Sequence, residues 1–152
     1  MATKTDFDPG DWHLLTTAPL EIWRGLAGVD LIVQSNRAEA AAFGKAAIEA
    51  RKRFAGNQLV QAVLDEMHPL SPRANAGVVA IDRILADLDR VADALEAHCD
   101  AGEANEFKRF LMWLGDLIAR ASGEGIADTH LRVSQKEQKF LRDVRVTLRY
   151  RP

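Results

Sequence analysis

The sequence predicts an all-α fold, a bundle of six or seven helices forming a single domain over residues 1–152. Three observations predict it. First, apolar residues recur at steps of three and four, as in Ile81, Ile84, Leu85, Leu88, Val91, Ala92 and Leu95, the spacing that lines one side of a helix. Second, capping residues, glycines and prolines fence these runs. Third, strand signals are nearly absent. The β-branched stretches, Leu31-Ile32-Val33 and Val144 to Tyr150, are either too short or helix-like in spacing.

The elements follow in chain order. Asp8-Pro9-Gly10-Asp11 reads as an N-cap, a proline at the first helical position and an early acid, a helix start. The short helix it opens carries Trp12, Leu14 and Leu15. Proline costs about 3 kcal/mol inside a helix, so a second helix is expected to start or kink at Pro19 and to carry Leu20, Ile22, Trp23, Leu26, Ala27 and Val29. Asn36-x-x-Glu39 spells a capping box before an alanine-rich helix with Phe43, Ala47 and Phe54 that stops at Gly56. Asn57 caps the next, whose buried face is Leu59, Val60, Val63, Leu64 and Met67, and His68-Pro69 ends it, because the residue before proline avoids the α region.

Ser71-Pro72 opens what reads as the longest helix, with Val78 starting the apolar stripe described above and Gly102 ending it. Phe107, Phe110, Leu111, Leu114, Leu117, Ile118 and Ala121 share one face of the following helix, which Gly123 terminates. A polar loop leads to a second capping box, Ser134-x-x-Glu137, and a last helix with Phe140, Leu141, Val144 and Leu148. Short flexible ends are expected at about 1–7 and 150–152, where chains commonly fray.

Composition narrows the class. Hydrophobic residues are 47% and charged residues 28%, which excludes a disordered chain. The net charge of −2 gives no general attraction to nucleic acid or to an anionic membrane. No run of about 18 apolar residues offers a membrane span, and Met1 to Pro9 lacks the apolar core of a secretory leader. One cysteine, Cys99, forms no internal disulfide, as suits a reducing compartment. A cytoplasmic location is therefore expected.

Two segments share an order of elements. Leu20 to Phe54 runs from a helix ending Ala27-Gly28-Val29-Asp30 to the Asn36 box and a helix; Leu111 to Leu148 runs from a helix ending Ala121-Ser122-Gly123 to the Ser134 box and a helix. The shared order reads either as an internal helical-hairpin duplication or as the look of any helix–loop–helix. With the opening Trp12 and Ala18-Pro19-Leu20, the pattern resembles the tellurite-resistance TerB-like helical family, from about Asp8 to Leu148. In that family a small-residue helix ends in Ala-Asp-Gly and a turn leads to a capped helix. The chain departs at two places: Leu31 stands where glycine is expected after Asp30, and Ser122 where the acid is expected before Gly123. The resemblance implies a helical, non-enzymatic, stress-associated protein of bacterial type.

Candidate chemistry is sparse. A divalent cation would draw on Asp30, Glu39, Glu124, Asp128 and Glu137, since hard cations want several oxygens from a flexible loop. The Ser122–Ser134 loop does not follow the calcium-loop pattern, and Glu39 and Glu137 read equally as helix caps. No other cofactor is expected. None of His13, His68, His98 and His130 follows a glutamate by three, as a di-iron bundle requires. Cys99 and His98 are adjacent, about 100° apart on a helix, so they do not face each other. Gly123-Glu124-Gly125 lacks the third glycine and preceding strand of a dinucleotide fingerprint. Trp12, Trp23 and Trp113 read as core rather than as a ligand cavity. No catalytic constellation emerges, and the chain is not expected to be an enzyme.

Charge is uneven. Asp82, Asp87, Asp89, Asp93, Glu96, Asp100, Glu103 and Glu106 face only Arg83 and Arg90 over 82–106. The end is basic: Arg132, Lys136, Lys139, Arg142, Arg145, Arg149 and Arg151 against Glu137 and Asp143. Arg142, Arg145 and Arg149 share one helical face. The expected use, beyond a solvated surface, is an unidentified protein partner or a homodimer in which the acidic helix of one chain meets the basic tail of another. Nucleic acid is not expected, because few aromatics interleave with the basic residues.

Overall fold

The computed structural model describes residues 1–30, 33–67, 80–123 and 134–152, with the side chains of 30, 33–40, 42 and 121–123 left out. The described residues form six α-helices and no strand: α1 (Pro9–Asp30), α2 (Val33–Arg53), α3 (Gln58–Glu66), α4 (Ile81–His98), α5 (Ala101–Gly123) and α6 (Gln135–Leu148), preceded by a short 3-10 turn at Lys4–Asp6. The all-α bundle is thus as the apolar periodicity predicts. No helix among the described residues is long and apolar enough to cross a membrane.

α1 and α5 are the centre, each touching all five other helices, while α2 lies chiefly along α5 and α4 along α1. One core runs through the bundle, with Leu15, Ile22, Leu26, Leu59, Val63, Leu88, Leu95, Phe107, Phe110, Leu111, Leu114 and Ile118 fully buried. Phe107, Phe110 and Phe54 meet edge-to-face at 5.8 and 5.6 Å, an arrangement aromatic quadrupoles favour.

Helix ends follow cap chemistry. Asp8 Oδ1 accepts the Asp11 amide at 2.8 Å, Asn57 Oδ1 accepts Val60 N at 3.0 Å, and Ser134 Oγ accepts Glu137 N at 3.1 Å while Glu137 Oε1 accepts Ser134 N at 3.2 Å. Each satisfies an orphan amide.

Three expectations are corrected. Pro19 lies inside a continuous α1 rather than at a helix start. The same buried stripe, Leu15, Ala18, Ile22, Trp23 and Leu26, runs straight across it. At about 1.5–3 kcal/mol per large buried side chain, that stripe outweighs the proline's cost of about 3 kcal/mol. α2 begins at Val33, so Asn36 is a residue of its first turn and not its cap; strong helix propensity in the alanine-rich stretch extends the helix backwards. The long helix proposed to run to Gly102 breaks at Cys99–Asp100. There Asp100 Oδ1 accepts Glu103 N at 2.8 Å and starts α5, leaving α5 as the longest described helix. The signals expected ahead of α4, His68-Pro69 as the end of the preceding helix and Ser71-Pro72 with Val78 as the start of the long one, lie outside the described residues. Residues near the N-terminus also pack against the bundle. Ala2 and Phe7 are buried, Ala2 N donates to both oxygens of Glu103 at 3.0 and 3.1 Å, and the Phe7 ring meets Trp12 at a tilt and His98 edge-on. Lys4 Nζ and Trp12 Nε1 both donate to Glu66, at 2.6 and 2.7 Å, and these bonds hold the Glu66 carboxyl below the usual glutamate range.

α6 is placed by two glycines. Its buried stripe is Glu137, Phe140, Val144 and Leu148, and it packs on α4, α1 and α5. A methyl group at Gly25 of α1 would lie 2.1 Å from Phe140 Cζ, and one at Gly115 of α5 would lie 2.8 Å from Leu141 Cδ2. Real carbon atoms do not approach so closely, so the missing Cβ atoms create the seat that α6 fills. Gly44 of α2, by contrast, is exposed with nothing within 4 Å of its Cβ position. The same substitution therefore has opposite signs at the two sites. Gly44→Ala is expected to stabilise by about 0.5–1 kcal/mol through helix propensity. Gly25→Ala is expected to destabilise by about 1–3 kcal/mol through overpacking. Urea denaturation of both variants measures this, and equal signs would contradict the seat.

Candidate functional site

The uneven charge noted in the sequence becomes one surface. Asp82, Asp89, Asp93 and Glu96 fall within one side of α4 by helical geometry, and α4 packs against α6, where Arg142, Arg145 and Arg149 share a side. The two stripes meet at Arg149. Its guanidinium donates to Asp93 at 2.7 Å, to Glu96 at 2.8 Å and to Asp89 at 3.3 Å. These carboxylates raise the already high pKa of the guanidinium, first through the Asp93 hydrogen bond. Part of the acid–base pairing expected between chains is thus made within one chain. Arg142 and Arg145 stay exposed, and beside them Val146 is 75% exposed.

Arg149 has the one non-glycine positive φ among the described residues, at 56° with ψ 39°. It reverses the chain after α6: its own amide donates to Val146 O and the Tyr150 amide to Arg145 O, at 3.1 and 3.2 Å. This is the Schellman pattern, which normally uses glycine. A side chain in this left-handed region costs about 1–2 kcal/mol, and the grip of three carboxylates offsets that cost.

Beside this junction lies an open cleft of about 710 Å³ between the α4–α5 corner and the C-terminal residues. Lys108 lies under it with a side chain only 6% exposed, its Nζ 3.1 Å from Glu96 Oε1. Glu96 therefore bridges two cations, Lys108 through one oxygen and Arg149 through the other. Asn105 fastens the end of the chain, donating to Arg151 O at 2.7 Å and accepting Arg151 N at 3.1 Å. Cys99 lines the same cleft. Burial, followed by the carboxylates of Glu103, Asp100 and Asp6, pushes its thiol up to about 12, so it stays protonated at neutral pH. Its neighbour His98 is turned to Phe7. No activated nucleophile results.

The cation candidates fare differently. Glu124 and Asp128 lie outside the described residues, as do the side chains of Asp30 and Glu39, whose backbones end α1 and lie within α2. Glu137 is described: it is buried and serves the α6 cap. Among the described residues no group of three or more His, Cys, Asp and Glu side chains is arranged to hold a metal ion. Trp12 and Trp23 are core, and Trp113, half-buried, meets Phe54 at 5.7 Å and lies under Arg53. None of the three lines the cleft. Trp23 Nε1 has no acceptor among the described residues.

The cleft was not anticipated from the sequence. Its charged residues, 96, 108, 149 and 151, are far apart along the chain. Only the opposition of acidic and basic segments hinted that two of them would meet.

Removing the Arg149 side chain separates strain from pairing. Arg149→Ala loses the carboxylate contacts and keeps the backbone strain, whereas Arg149→Gly loses the contacts and relieves the strain. Arg149→Gly is expected to be the more stable by about 1 kcal/mol. Its deficit against the parent chain shrinks as salt rises, because the pairs are partly exposed and screened. Thermal melts in a salt series measure both; a glycine variant no better than alanine contradicts the strain.

Comparison with family models, with curated proteins and with solved structures finds no match for this chain.

Proposed function

We propose that the protein is a non-enzymatic interaction module that pairs with a second copy of itself through the α4–α6 face. The observation that carries this reading is that α4, with Asp82, Asp89 and Asp93 along one side, packs against α6, with the exposed Arg142 and Arg145 along one side. A surface holding both signs side by side is self-complementary. A twofold axis sets the acidic stripe of one copy against the basic stripe of the other, and the same contact repeats by symmetry. The Arg149 junction supports the reading too, because it holds the two helices in fixed relation.

Sedimentation velocity tests it. The chain is expected to be dimeric at about 0.01 M salt and to dissociate towards about 1 M, as the screening length falls from about 30 Å to about 3 Å. Arg142→Glu with Arg145→Glu is expected to give a monomer at low salt, and mixing it with Asp82→Lys/Asp89→Lys to restore a dimer. A monomer at every salt concentration, with no rescue on mixing, contradicts the proposal and leaves a solvated face.

A further inference from the structure

We propose that the cleft at the α4–α5 corner is a binding site for a small oxyanion, with Glu96 as its built-in stand-in. The cavity, about 710 Å³, has the size of a small-ligand site. Its deepest charged group is Lys108, an ammonium with three donors and one acceptor among the described residues, Glu96 Oε1. A buried ammonium is costly unless an anion faces it. The anion that does so is unusual: the Glu96 side chain is 45% exposed and reaches inward from the surface. It spans Lys108 and Arg149 with its two oxygens, the bridging geometry that an external carboxylate or phosphate adopts between two cations.

The rest of the cleft fits the same chemistry. Arg151 lines it, its backbone clamped by Asn105 and its guanidinium without an ion pair among the described residues. Ala101, Gly102 and Ala104 leave room, presenting nothing larger than a methyl group. Charges acting from outside define the position. Asp89 and Asp93 hold Arg149 from the α4 side, and Asp100 and Glu103 bring negative potential to the Cys99 end. The oxyanion therefore belongs at the Lys108–Arg151 end, displacing Glu96 outwards into solvent. Self-association plays no part in this site.

Calorimetric titration at fixed ionic strength, with inorganic phosphate in one arm and succinate in the other, tests the site and tells phosphate from carboxylate. The parent chain is expected to bind one of them weakly. Glu96→Gln, which removes the competitor, is expected to bind it about tenfold more tightly or better, since a site occupied by its own side chain most of the time shows reduced apparent affinity. Lys108→Met is expected to lose binding. Removing Glu96 also strands a buried cation, so Glu96→Asp, which keeps the charge but shortens the stem, serves where the glutamine variant does not fold and is expected to tighten binding as well. Flat heats for both anions in the parent chain and in the position-96 variants overturn the proposal. So does tightening that survives in the Glu96→Gln/Lys108→Met double variant.

Discussion

The contact between the Phe140 ring and the bare backbone of Gly25 organises this molecule. A helix carrying Phe140, Val144 and Leu148 on one side can approach α1 and α5 only where those helices lack side chains, and Gly25 and Gly115 open that space. Glycine inside a helix costs up to about 1 kcal/mol against alanine. Burying the α6 stripe returns several times that amount. The seat also fixes α6 alongside α4, which no sequence-local force would do.

Everything of functional interest follows from that placement. Once α6 lies beside α4, its last turn delivers Arg149 to three carboxylates, and the chain turns back through a left-handed residue to reach Asn105. The corner closes over Lys108. Electrostatics then works at two depths. The exposed stripes are screened and individually weak, of order 0–1 kcal/mol per pair, and gain significance only by acting together. The buried ammonium is different: it needs an anion at all times, and in this structure a half-exposed surface glutamate, Glu96, provides it. The acidic helix thus neutralises the tail and also closes a cleft.

Much of the fold was legible because it is local. Ile84, Leu88, Val91 and Leu95 announce the buried face of α4 by spacing alone, and Asn57 and Ser134 announce helix starts through the hydrogen bonds their side chains make. The failures have particular causes. Asp100-x-x-Glu103 has the form of a cap signal, yet Gly102 was read as the stop because glycine so often follows a helix. Pro19 was read as a break because its cost is visible locally while the stripe buried around it is tertiary. Asn36 resembled a cap but stands inside α2, which also weakens the parallel between the two hairpins. Gly25 and Gly115 carried no sequence signal at all, since their role exists only relative to Phe140 and Leu141. The cleft was hidden for the same reason: Glu96, Lys108, Arg149 and Arg151 come together through packing. Of the carboxylates singled out for a cation, only Glu137 has a described side chain, and it is spent on a cap.

Native-state hydrogen exchange followed along the chain tests the central claim most directly, because it reads the stability of α6 relative to the helices it sits on. If the glycine seat makes α6 part of the core, the amides of Phe140 to Leu148 exchange only through the opening that also releases the middle of α1 and α5. Exchange of α6 through a separate, much easier opening, with α1 and α5 still protected, would show that α6 is a loosely applied cover and that neither the seam nor the cleft is fixed by the core.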